Sequence, residues 1–148
     1  MKWNALLLAP LLASCSNGEM AKSLDGSYGS LAFKGQVERR IEGVNYVYSV
    51  QRLDLTFDPQ AKSNATDRII NPSLRFVAIE EKGDGTPQKT LFESEVPIRA
   101  RLNSSNRAVT VENLTFVVPR HAVESADHVG LAVVGERLMW PIETDLKG

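Results

Sequence analysis

The sequence predicts an all-β protein, an antiparallel β-sandwich of about seven or eight strands with one short helix near residues 119–127. Two observations predict this fold. Apolar and polar residues alternate along several segments, as they do in a half-buried strand, and turn residues recur roughly every 8–14 residues. No pattern of alternating strand and helix is present, so a parallel α/β sheet is not expected. A small barrel is the alternative architecture.

The alternation first develops over residues 31–57, on either side of a turn predicted at Glu42-Gly43. From Leu53 onward the apolar residues change from even to odd positions, so we expect a β-bulge near Gln51-Arg52. The residues predicted to point into the core before this change are Leu31, Phe33, Val37 and Ile41 in the first strand, and Val44, Tyr46, Tyr48 and Val50 in the second.

The later segments predict central and edge strands and the one helix. Residues 74–80 are apolar at both parities, which indicates a central strand. The following strand contains Pro97, which cannot donate a backbone hydrogen bond and therefore favours an edge position. Residues 109–118 again change parity, and Pro119 suits the first turn of a helix. Hairpin turns are predicted at residues 82–86 and 135–136.

A separate signal precedes this domain. Lys2 is followed by an apolar run, residues 5–13, which is shorter than the ~20 residues of a membrane-spanning helix but suits a signal peptide. The run ends on Leu12-Ala13-Ser14-Cys15, and Cys15 is the only cysteine of the chain. These four residues resemble the lipobox of bacterial lipoproteins. The resemblance implies that residues 1–14 are a signal peptide and that the Cys15 thiol carries a diacylglyceryl group.

The same resemblance implies a location. Two or more acyl chains give stable membrane anchoring. Ser16 follows Cys15 in place of the aspartate that typically retains lipoproteins in the inner membrane. For a Gram-negative source the expected location is therefore the outer membrane, with the domain facing the periplasm. The alternative is an ordinary secretory signal cleaved near Ser14, which would leave Cys15 as a free thiol.

Composition and spacing define the domains. Residues 16–27 are polar and contain two glycines, so we expect residues 15–27 to be the lipidated cysteine and a flexible tether. Residues 28–146 are expected to form a single sandwich domain. The net charge of −1 does not favour a nucleic-acid partner.

Few residues suggest chemistry. On a continuous helix His121, Glu124 and His128 would share one face and could bind zinc, while the alternative is a solvated face with His128 already in the next strand. Glu93 and Glu95 lie opposite the apolar positions of their strand, where charged residues are normally solvated. The serine-hydrolase patterns G-x-S-x-G and S-x-x-K and the glycine-rich phosphate-binding motifs are absent. The sequence therefore predicts no catalytic site and no cofactor.

Candidate partner-binding residues are Arg99, Arg101 and Trp140. The two arginines, with Arg39-Arg40 and Arg75, would form either a basic stripe or, with Glu93 and Glu95, a mixed-charge surface. Trp140 suits either a core position or an interface.

The leading functional hypothesis is a non-enzymatic, membrane-anchored protein that binds another envelope protein. The edge strand with Pro97 or the final hairpin would be its docking surface. The layout is similar to that of the type VI secretion outer-membrane lipoprotein, a likeness of architecture and size without a shared motif. The alternatives are a carrier of lipids or small molecules, with an apolar cavity between the sheets, and a metal-dependent protein that uses His121, Glu124 and His128.

Overall fold

The computed structural model describes residues 18–28, 31–57, 68–69, 72–81, 88–98, 102–103, 108–135 and 139–148. Most of these residues are in strands, and one short helix follows the eighth strand. The strands are β1 (Met20–Tyr28), β2 (Leu31–Glu42), β3 (Asn45–Phe57), β4 (Arg68–Ile69), β5 (Ser73–Glu80), β6 (Lys89–Pro97), β7 (Leu102–Asn103), β8 (Ala108–Pro119), β9 (His128–Val134) and β10 (Met139–Glu143), and the helix is α1 (Arg120–Ser125).

The strands form two four-stranded antiparallel sheets, in the orders β1-β2-β3-β8 and β10-β9-β5-β6, and β4 pairs with β7. The all-β sandwich and its short helix are thus confirmed, and the separate sheets exclude a closed barrel among the described strands. β5 is central and β6 is an edge strand, as the apolar run and Pro97 predict. The strands on either side of the two predicted hairpin turns pair antiparallel, although residues 82–87 and 136–138 lie outside the described residues.

The core lies between the two sheets and is built around aromatic rings. Phe76 of the second sheet contacts Tyr48 and Phe116 of the first, with ring centroids 4.6 and 5.5 Å apart. Phe92 of β6 packs edge-on against Phe76 at 6.2 Å. Tyr46 and Tyr48 are both buried, so the prediction that they belong to the core is confirmed. Aromatic contacts of this kind hold the sheets face to face.

A β-bulge lies where the sequence predicts it. Gly35 pairs with Leu53 and Val37 pairs with Val50, so Gln51 and Arg52 of β3 lie opposite the single residue Gln36 of β2. The extra residue lets β3 bury even positions before the bulge and odd positions after it. On the neighbouring β8 the parity also changes, at Asn113, which has a φ of +56°. Asparagine tolerates this left-handed conformation better than most residues.

The predicted tether is partly wrong. Residues 20–28 form β1, which pairs with β2 along its whole length, from Met20–Arg39 to Tyr28–Leu31. Only Leu24 of this strand is fully buried, so its sequence carries almost no alternation. Backbone hydrogen bonds to β2 form the ladder regardless of side chain, which is why hydrophobic periodicity does not find the strand. The sandwich therefore begins near Gly18 and not at residue 28.

The sandwich has two ends that differ in what they carry. One end carries Gly18, the Gly43-Val44 turn, α1 and residues 146–148, and we call it the proximal end. The opposite end carries Tyr28, where β1 pairs with the start of β2. The strands of the second sheet run between the same two ends. At the proximal end, α1 leads into the start of β9. At the opposite end Ser73 pairs with both Pro97 and Val134.

Gly35→Ala is expected to destabilise the protein by about 1–3 kcal/mol, because the new methyl group would meet the backbone of the bulge. A Cβ at Gly35 would lie 2.5 Å from the carbonyl oxygen of Arg52. Gly26→Ala on the neighbouring strand is the matched control, since its Cβ would meet only the Phe33 ring at 3.4 Å. Urea unfolding of both variants measures the difference. Equal stability of the two would show that the bulge does not require glycine.

Candidate functional site

Arg39 is the buried charged residue of the described core, with 7% of its surface exposed. It lies on β2 at the position between Val37 and Ile41 where the alternation demands an inward-pointing side chain. The sequence interpretation grouped Arg39 with surface arginines because of its charge. Its odd position, which it shares with the inward-pointing Val37, was the sequence signal that could have placed it in the core.

The Arg39 guanidinium binds backbone carbonyl groups from both ends of the described domain. Nε donates to the carbonyl oxygen of Gly18 at 2.5 Å, and Nη1 donates to that of Lys147 at 2.8 Å and, more weakly, to that of Leu146 at 3.4 Å. Nη1 also donates to the Tyr48 hydroxyl at 3.1 Å, and this hydroxyl donates to the Leu146 carbonyl at 2.8 Å. We call this set of residues the Arg39 clamp.

The charge of Arg39 is balanced without an acidic partner. Within the described part of the chain no carboxylate lies in ion-pair range of its guanidinium. The guanidinium carbon lies 4.4 Å from the centroid of the Tyr46 ring and 5.7 Å from that of Tyr48. Carbonyl dipoles and aromatic faces therefore take the place of a counter-ion.

Burial also affects Tyr48. Loss of solvent raises the pKa of its phenol above the ordinary value, and the hydrogen bond and positive charge of Arg39 oppose this rise only in part. Tyr48 therefore stays neutral in the folded protein and can both accept from Arg39 and donate to Leu146.

Gly18 is suited to its place in the clamp. Its φ of +76° is a conformation that L side chains rarely adopt. A Cβ there would lie 3.1 Å from the Tyr46 ring and 3.2 Å from the Ile41 side chain. The chain thus enters the domain at a fixed point beside the β2–β3 hairpin.

The outer face of the second sheet carries mixed charges. Arg75 Nε donates to Glu95 at 2.6 Å and lies 3.3 Å from Glu93. This confirms the mixed-charge interpretation for these three residues. Arg99 and Arg101 lie outside the described residues, as does Cys15. Of Trp140 only the backbone is described, paired with Val133, so the predicted roles of these residues stay predictions.

The two open sides of the sandwich are not equally covered. On one side Lys22 of β1 forms an ion pair with Glu143 at 3.2 Å and donates to the Asp145 carbonyl at 2.8 Å, which ties β1 to β10 and the segment after it. On the other side, where β6 lies near β8, no hydrogen bond or ion pair among the described residues links the two edges. Among the described residues, β6 therefore has fewer polar contacts across the sandwich than β10.

The proposed metal ligands are not brought together on one helix. α1 ends at Ser125 and the next residue is extended (φ −74°, ψ 146°), so His121 and Glu124 lie on the helix whereas His128 begins β9. His128 Nε2 lies 3.1 Å from Glu81, whose pKa is held below its usual value by this hydrogen bond. Among the described residues no group of three His, Cys, Asp or Glu side chains is placed to hold a metal ion.

Three concavities lined by described residues lie on the outer faces of the sheets. One of about 600 Å³ lies over Val77, Ile79 and Gly130 of the second sheet. Two smaller ones lie over polar side chains of the first sheet. Between the sheets, the Phe76 ring packs against the rings of Tyr48, Phe92 and Phe116.

No protein-family description, curated protein or solved structure matches this chain. Within the described ranges, no helix has the length and hydropathy needed to cross a membrane. The function must therefore be inferred from the residues and geometry of the chain.

Arg39→Met is expected to lower the free energy of unfolding by about 2–4 kcal/mol, because the carbonyl groups of three residues lose their donor. Tyr48→Phe should cost about 1–2 kcal/mol. The double variant should cost less than the sum, since both residues act on the Leu146 carbonyl. The matched control is Arg40→Met, an exposed arginine paired with Glu42, with an expected change within about 0.5 kcal/mol. Additive losses in urea unfolding would contradict a shared clamp.

The raised pKa of Tyr48 predicts a loss of stability in alkali. Since the folded protein holds this proton more tightly than the unfolded chain, the stabilisation is complete below the unfolded pKa and is lost as pH rises above about 10. Thermal unfolding between pH 8 and pH 11 should therefore show a decline that Tyr48→Phe reduces. An equal decline in both proteins would assign it to other groups.

Proposed function

We propose that this protein is a lipid-anchored protein of the cell envelope that binds another envelope protein and has no catalytic role. The observation that carries the proposal is the position of the lipobox-like motif relative to the domain. Cys15 comes three residues before Gly18, the first residue held by the Arg39 clamp. A signal ending at residue 14 would thus leave the whole sandwich intact and place the acylated residue at its proximal end.

The location that accompanies this proposal is the outer membrane, with the domain facing the periplasm. Ser16 after Cys15, in place of aspartate, supports that address in a Gram-negative organism. Acylation of Cys15 with two or more chains would supply stable anchoring.

The partner surface that the geometry favours is the edge of β6. An edge strand offers unpaired backbone groups to which an extended segment of a partner can add. β10, the other edge of this sheet, is covered on its β1 side by the contacts of Lys22 with Glu143 and Asp145. Among the described residues, β6 has no comparable ion pair or hydrogen bond to the first sheet, so we favour β6 over the final hairpin as the docking surface.

The chemistry beside β6 supports a protein partner. Arg75 with Glu93 and Glu95 presents both charge signs next to the edge, which would favour a partner segment of alternating polar residues. The aromatic rings that pack around Phe76 occupy the space between the sheets there and give no support to a carrier role. The separation of His128 from α1 gives none to zinc binding.

Site-specific crosslinking in living cells tests this proposal. A photo-crosslinking amino acid at Thr90, an exposed position of β6, is expected to capture one envelope protein. The same amino acid at Ser23, an exposed position of β1, is the matched control and should capture little. Cys15→Ser should abolish acylation and weaken the capture at Thr90, because the domain is no longer held at the membrane.

Two different results would contradict the two parts of this proposal, the lipid anchor and the docking edge. If intact-mass measurement shows Cys15 unmodified, the anchoring part of the proposal is wrong. If Cys15 is acylated but Thr90 and Ser23 capture the same proteins equally, β6 is not the docking edge.

A further inference from the structure

The connection between the anchor and the domain is very short. From the Cα atom of Cys15 to that of Gly18 a fully extended chain spans at most about 11 Å. Gly18 in turn is fixed by its hydrogen bond to Arg39 and by its contact with Tyr46. Nothing else in the chain separates a lipid on Cys15 from the proximal end of the sandwich.

We propose that the proximal end of the sandwich rests on the lipid headgroups, with the Gly43-Val44 turn at the contact. This inference depends on the acylation of Cys15 in the proposed function, and it adds the orientation of the domain and its membrane-contacting surface. A twelve-residue flexible tether would allow many orientations, whereas a connector of three residues ending in a clamped glycine restricts them.

The surface at this end suits a headgroup layer. The prediction that Val44 points into the core is wrong, because Glu42 pairs with Asn45 and the turn is therefore Gly43-Val44 and not Glu42-Gly43. Val44 is 78% exposed at the tip of the β2–β3 hairpin, the highest exposure among the large apolar side chains that the structure describes. Gly43, with a φ of +62°, allows the tight turn that projects it. An exposed valine of this kind is better accommodated at a lipid interface than in water.

Two arginines on the surface of the proximal end are each paired with an acidic side chain. Arg40 pairs with Glu42 beside the turn, and Arg120 lies 3.9 Å from Glu124 on α1. Such paired charges match zwitterionic headgroups, which carry both signs, and give no preference for anionic lipid. The contact is therefore set by the covalent anchor, and its strength should not depend on the fraction of anionic lipid.

The opposite end would then project away from the membrane. β1 has nine residues, and a strand rises about 3.3 Å per residue, so Tyr28 would lie roughly 30 Å from the proximal end. β6 runs in the same sense, from Lys89 at the proximal end to Pro97 at the opposite end. Its edge would thus be reachable from the periplasm along its length.

Spin labels at two positions test the orientation. Val44→Cys and Tyr28→Cys would each introduce the sole free thiol of the acylated protein, because Cys15 is the one native cysteine. Tyr28 is the matched control, since it is 54% exposed at the opposite end. The acylated proteins are reconstituted in phosphatidylcholine vesicles, and the collision rates of each label with a water-soluble nickel complex and with oxygen are measured.

We expect vesicle binding to lower nickel access severalfold at residue 44 and to raise its oxygen access, with no change at residue 28. Adding anionic phosphatidylglycerol should leave these values unchanged. A Gly-Ser insertion of twelve residues after Ser16 should restore nickel access at residue 44, because the longer connector frees the domain.

The failures of the two proposals are distinguishable. If the protein is acylated and bound to vesicles but residues 44 and 28 are equally accessible to nickel, the orientation is wrong and the lipid-anchored function stands. If nickel access at residue 44 stays low after the insertion, the short connector does not set the orientation. If Cys15 is not acylated and the protein does not bind vesicles, both proposals fall.

Discussion

The Arg39 clamp is the constraint on which the two ends of the described chain depend. An arginine in a protein core carries a large desolvation cost unless its donors are satisfied. Here the donors reach Gly18 and Lys147, residues that the sheets themselves do not hold, together with the Tyr48 hydroxyl. Satisfying one buried charge therefore fixes the points where the chain enters the domain and where its last described residues lie.

The clamp gives the two ends of the sandwich different roles in the function proposed here. With the entry point at Gly18 fixed, an anchor on Cys15 would hold the proximal end and leave the opposite end free. Lys22 of β1 contacts the β10 side of the second sheet, and no comparable contact links β6 to the first sheet among the described residues, which is why the proposal places the partner at β6. In the proposed function, the buried hydrogen-bond network of Arg39 would set which end of the domain faces the membrane, and the ion pair of Lys22 would favour docking at β6 over β10.

The sequence predicts a strand of this structure where the buried side chains are apolar and the exposed ones polar. The alternation in β2 and β3 and the parity change at Gln51 predicted the strands and the bulge, since almost every buried position there, Arg39 excepted, carries an aliphatic or aromatic side chain. β1 was missed because only Leu24 is fully buried and the rest is held by backbone pairing. The metal hypothesis assumed a helix through His128, yet the chain becomes extended after Ser125 as it passes into β9.

Arg39 was misplaced for a different reason, and that reason indicates what the residue does. An apolar side chain at this inward position would continue the alternation and pack against Tyr46 and Tyr48, but it could not bind carbonyl groups from distant segments. The guanidinium can, because it directs several donors along fixed directions in one plane. The arginine therefore contributes the position and direction of the chain ends more than the cohesion of the sheets. With the acylation of Cys15 that we propose, that direction would decide which end of the domain faces the lipid.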